Sequence, residues 1–119
     1  MAVWEHWISD HERVVEVCDE TSCFYSIDVF LQCRKVPVEI LEHVYTLKSG
    51  RTALQYFRLK HLEGWTGVSS IELVFVIVEG IELPQLVSVR ALSRDRIEIE
   101  RIVEIRDKAF KLVERRCTE

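Results

Sequence analysis

The sequence predicts an α+β fold: one antiparallel sheet of about four strands packed by an N-terminal helix, a middle helix and a long C-terminal amphipathic helix. Three observations carry that expectation. From Asp95 to about Arg116, apolar side chains recur at helical spacing behind a capping signal. Residues 23–33 alternate apolar with polar side chains, and Leu73 to Val78 is an unbroken apolar run of strand length. The chain of 119 residues, 48% hydrophobic and 30% charged, fits a single domain over 1–119 that removes roughly two-thirds of its unfolded surface from water.

The first helix is expected over Val3 to Cys18, where Trp4, Trp7, Ile8, His11, Val14, Val15 and Cys18 follow one another at spacings that mark one helical stripe. Glu5, Ser9, Glu12, Arg13 and Glu16 take the other side. A strand from Glu12 to Cys18 is the rival reading; it explains Val15 and Val17 but leaves the two tryptophans without a period. After the polar turn Asp19 to Ser22, the alternation of Cys23, Tyr25, Ile27, Val29, Leu31 and Cys33 predicts a half-buried strand with both cysteines facing the core. Pro37 suits the first turn of the middle helix, Ile40, Leu41, Val44, Tyr45 and Leu47 form its apolar side, and Gly50 stops it.

Thr52 to Leu62 fits neither period cleanly and is read as a strand. Gly64-Trp65-Thr66-Gly67 is turn chemistry. Ile71 to Val78, apolar on both faces, reads as a covered central strand, and Gly80 to Pro84 separates it from a last strand over Leu86 to Leu92. The closing helix carries Ile99, Ile102, Val103, Ala109, Phe110 and Val113 on its stripe.

With a strand in place of the first helix, the element order resembles that of PAS-like and profilin-like ligand or partner modules, a likeness of topology alone. From Val38 onward the order also resembles a double-stranded-RNA-binding domain. Such a domain needs lysines at the start of its last helix, where this chain has Ser93-Arg94-Asp95-Arg96-Ile97-Glu98, of mixed charge.

A formal net charge of −4, with basic residues interleaved among acids except at Arg115-Arg116, argues against nucleic acid as a partner. No apolar run is long enough to span a bilayer and no secretion signal is evident, so the expected address is cytoplasmic, away from membranes. The chain has no Asn, three Gln, and eleven Arg against five Lys, a hyperthermophile tendency that would permit an intracellular disulfide.

Four cysteines, Cys18, Cys23, Cys33 and Cys117, are read as buried thiols or disulfide partners. A weaker alternative joins Cys18 and Cys23 to His6 and His11 as zinc ligands, at non-standard spacing. His11 lies on the apolar stripe, as a core histidine or a ligand-binding donor. Arg106 interrupts the apolar face of the last helix, so its charge must reach water, a carboxylate such as Asp28, or an anionic ligand held between helix and sheet. Trp4 and Trp7 are candidate interface anchors. No nucleophile elbow, phosphate loop or metalloprotease motif occurs, so neither a catalytic residue nor a cofactor is assigned.

Together these features favour a small non-enzymatic interaction module, homodimeric or docked to another protein, because its apolar faces exceed what one small sheet covers. The alternatives are a small-molecule or anion-binding protein, or small enzyme, with a pocket under the last helix, and a zinc-stabilised module.

Overall fold

A computed structural model describes residues 1–33, 41–59, 67–80 and 85–112. Among these residues, seven strands precede one helix: β1 (Ala2–Ser9), β2 (Glu12–Cys18), β3 (Cys23–Cys33), β4 (Leu41–Ser49), β5 (Thr52–Leu59), β6 (Val68–Val78), β7 (Gln85–Ser93) and α1 (Ile99–Leu112). They form a single sheet in the order β1-β2-β3-β7-β6-β5-β4, antiparallel throughout. Two meanders, β1–β3 and β4–β7, meet where β3 pairs with β7.

This corrects the expected four-strand sheet with three helices. The N-terminal segment is a β-hairpin, turning at Asp10-His11, where the His11 amide donates to Ser9 Oγ and that hydroxyl donates to Glu12. The helical spacing of its apolar residues arises because both faces of the hairpin carry them: Trp4, Ile8 and Val14 point to one side, Val3, Trp7 and Val15 to the other. The middle element is also a strand, β4, with its first residues outside the described ones. A register shift between His43 and Tyr45 inserts Val44 as an extra residue. That bulge puts Leu41 on one face and Tyr45 and Leu47 on the other, so a strand imitates a helical stripe. Gly50, expected to stop a helix, instead takes φ +58° in the two-residue turn Gly50-Arg51 between β4 and β5.

The strands expected over 23–33, 52–62, 71–78 and 86–92 are present as β3, β5, β6 and β7, with residues 60–62 outside the described ones. The closing helix is present, but it begins at Ile99 rather than Asp95. Its first amide bonds run from Arg101 and Ile102 to the Glu98 carbonyl.

Helix α1 lies across one face of the sheet. Ile102, Ile105 and Ala109 pack onto Val14, Tyr25, Ile27, Val29, Leu73, Phe75, Leu86, Val89 and Ala91, all fully or almost fully buried. Alternation along each strand sends the neighbours of these residues to the opposite face, where no described element covers them. Among the described residues, no helix is long and apolar enough to cross a membrane.

Candidate functional site: the open face of the sheet

The helix-free face is organised in rows that run across all seven strands. Strand register places Trp7, Arg13, Asp28, Ser88, Val74, Tyr56 and Tyr45 side by side in one row. The adjacent row reads Glu5, Val15, Ser26, Arg90, Glu72, Arg58 and Glu42. Of the exposed large apolar residues among the described ones, only Met1 lies outside this face; Val3, Trp7, Phe24, Phe30, Tyr45 and Leu47 all point from it. Trp7 leaves 56% of its surface in contact with solvent.

Aromatic rings and guanidinium groups interleave here. Trp7 stacks on Phe30 at 5.9 Å between centroids, and the Arg13 guanidinium sits 5.7 Å from each ring. At the other end Tyr45 stacks on Tyr56 at 4.1 Å, with Arg90 5.4 Å from the Tyr56 ring. Each cation also has a carboxylate on the same face: Arg13 donates to Asp28 at 2.9 Å, while Arg90 lies 3.6 Å from Glu72 and Arg58 3.8 Å from Glu42. The face is thus apolar and aromatic, with its charges balanced locally, a composition typical of protein interfaces.

Between Phe30 and Tyr56 the face dips into a groove of about 360 Å³, with Val74, Val87 and Ser88 at its base and Arg13 and Arg90 on its rim. The Ser88 hydroxyl is buried there without a hydrogen-bond partner among the described residues.

The covered face holds a second polar cluster. Glu16, 1% exposed, accepts from His6 Nε2 at 2.9 Å on one carboxylate oxygen and from Arg96 Nε at 3.3 Å on the other. Arg96 lies 4.3 Å from the Trp4 ring centroid. The neighbouring Tyr25 hydroxyl accepts the Ile97 amide, and burial pushes its pKa above the ordinary 10.0, aided by the Glu16 charge. With both carboxylate oxygens occupied, the cluster ties β1 and β2 to the segment entering α1. In the expected helix Glu16 faces away from the apolar stripe; in a strand, the alternation Val14-x-Glu16-x-Cys18 places it inward.

The two candidate tryptophans separate, Trp4 beside Arg96 on the covered face and Trp7 on the open one. His11 is exposed at the hairpin turn. Arg106, 17% exposed, bonds Glu12 at 2.7 Å and Asp107 at 2.8 Å. Its carboxylate is therefore Glu12, while Asp28 is engaged by Arg13 and Ser26. Cys18 and Cys23 form a disulfide at the end of the β2–β3 hairpin, so their sulfurs are bonded to each other and not free as thiolate ligands. Cys23 is buried, as its alternation requires; Cys117 lies outside the described residues. No group of three or more potential metal ligands occurs among the described residues.

No protein-family model, curated protein or solved structure matches this chain.

Proposed function

We propose that this protein is a small non-enzymatic interaction module that works as a homodimer through the open face of its sheet. The observation that carries the reading is the gathering of six exposed large apolar side chains, Val3, Trp7, Phe24, Phe30, Tyr45 and Leu47, on the face the helix leaves free. Trp, Tyr, Phe and Arg are the residues interfaces favour, and these apolar side chains share one face instead of being scattered over the surface. Local pairing of Arg13, Arg58 and Arg90 with carboxylates supports a neutral protein partner over a polyanion.

Sedimentation equilibrium tests it. At protein concentrations on the order of 100 μM, well above an ordinary dimer Kd, the expected mass is twice the 14.0 kDa of one chain. Trp7→Glu combined with Phe30→Glu, both at exposed positions, is expected to return a folded monomer. A wild-type monomer at that concentration would defeat the reading.

One observation favours a second reading, a ligand-binding protein: the Ser88 hydroxyl at the base of the Phe30–Tyr56 groove has no hydrogen-bond partner among the described residues. Benzoate, a planar anion that such a groove could grip, would then raise the melting temperature of the parent protein and not that of Ser88→Ala. This site lies on the face opposite α1, away from Arg106, and His11 is not among the residues that line it.

A further inference from the structure

We infer that the partner on the open face is a second copy of this chain, related by a two-fold axis that runs parallel to the strands over the β3–β7 boundary. This rests on the reading of the open face as the dimer surface and adds the arrangement. Register fixes two rows of side chains across this face. Two identical sheets packed face to face keep their strand directions within about 30°, and a two-fold axis parallel to the strands lays each row onto its own copy in reverse strand order.

The position of the axis then decides which residues meet. Centred on β7, the middle strand of the sheet, the axis would set Arg90 against Arg90 of the second copy and Glu5 against Glu42. Both contacts bring like charges together. Moved half a strand to the β3–β7 boundary, the axis sets Glu5 against Arg58, Ser26 against Arg90, Asp28 against Ser88 and Trp7 against Tyr56. Opposite charges now meet, two aromatic rings meet, and the Ser88 hydroxyl, which has no hydrogen-bond partner among the described residues, gains a carboxylate acceptor.

The side chains that must reach across are available. Glu5 and Arg58 are 51% and 58% exposed, and their own-chain ion pairs are long, at 3.7 and 3.8 Å; Glu5 also accepts Trp7 Nε1–H at 3.0 Å on its other oxygen, which leaves the oxygen facing Arg13 to reach across. Their length spans the offset that sheet twist introduces away from the axis. Six of the seven strands overlap, about 29 Å of width at 4.8 Å per strand, giving a flat footprint of roughly 600 Å² per copy, in the lower range of specific interfaces.

Charge reversal tests the arrangement, because Glu5 and Arg58 sit five strand spacings apart in one chain, about 24 Å, and touch only across the two-fold. Glu5→Arg and Arg58→Glu should each weaken the dimer at least tenfold in sedimentation equilibrium. The double variant should return to within about threefold of the parent, as should an equimolar mixture of the two single variants, in which both contacts again join opposite charges. Melting curves confirm that each variant is folded. If the parent dimerises and Trp7→Glu with Phe30→Glu abolishes it, but neither the double variant nor the mixture restores affinity, this axis is wrong while the dimer face stands. A monomeric parent overturns both.

Discussion

The covered and open faces are built from the same seven strands, often from neighbouring residues, yet they treat charge in opposite ways. On the covered face the Glu16 carboxylate is dry and saturated, with His6 and Arg96 each bonded to one oxygen, and Glu12 pairs with Arg106 at 2.7 Å. On the open face carboxylates and guanidiniums are 24% to 58% exposed, paired at 2.9 Å for Arg13 and Asp28 and at 3.6 to 3.8 Å for the others, and spread between aromatic rings. A buried charge must be fully satisfied inside the chain, because nothing else can reach it. Half-exposed charges can exchange partners, and that leaves them free to recognise another surface. The comparison thus separates a face that holds the fold from a face that meets other molecules.

The largest effect should come from breaking the covered face. Phe75, wholly buried against α1 and edge-on to Phe57, should cost about 3–5 kcal/mol when replaced by Ala, whereas Trp7→Ala on the open face should change monomer stability by roughly 0.5 kcal/mol or less. Urea unfolding under dimer-dissociating conditions reads both, and equal costs would erase the distinction between the faces. Next comes Arg106→Ala, which strands Glu12 in a pair whose members are only 15–17% exposed. A loss of about 1–3 kcal/mol, insensitive to added phosphate, is expected from desolvation of the remaining carboxylate.

The smallest effect sharpens the comparison through pH. Burial raises the Tyr25 pKa above its ordinary value of 10.0 in the folded chain. The unfolded chain therefore releases that proton first as pH rises, so this contribution to stability is complete below about pH 10 and fades above it. Tyr25→Phe removes the titration, and its stability should fall less steeply between pH 10 and 11.5 than that of the parent. Parallel slopes would mean that the phenol is not the group responsible.

Much of the β-structure was legible because its signals are local. β3, β6 and β7 announce themselves by alternation or by an apolar run, and α1 by its stripe. The N-terminal hairpin was not, since its turn, Asp10-His11, has neither Gly nor Pro to punctuate it, and apolar side chains on both faces of two strands add up to a false helical period. The bulge at Val44 misled in the same way. Of the site, Trp7 and the need of Arg106 for a partner could be read from the residue types. Glu16, the Arg13–Asp28 pair and the Ser88 groove could not, because they depend on which strands become neighbours. The meeting of β3 with β7 joins residues far apart in the chain.

That meeting has a consequence for the time course of folding. The hairpins of β1, β2 and β3 close through contacts near in sequence, and so do those of β4 to β7, so each meander can form quickly as it emerges. Their union pairs Tyr25 with Ala91 and Ile27 with Val89, and it must wait for the last strand to be made. Contacts of such long sequence separation slow folding. Until β7 arrives, the inner edge of β3 stays unpaired, with Tyr25 and Ile27 not yet enclosed, and the nascent chain is most open to pairing with the wrong strand. Helix α1, made last, then lies across the finished seam and closes it.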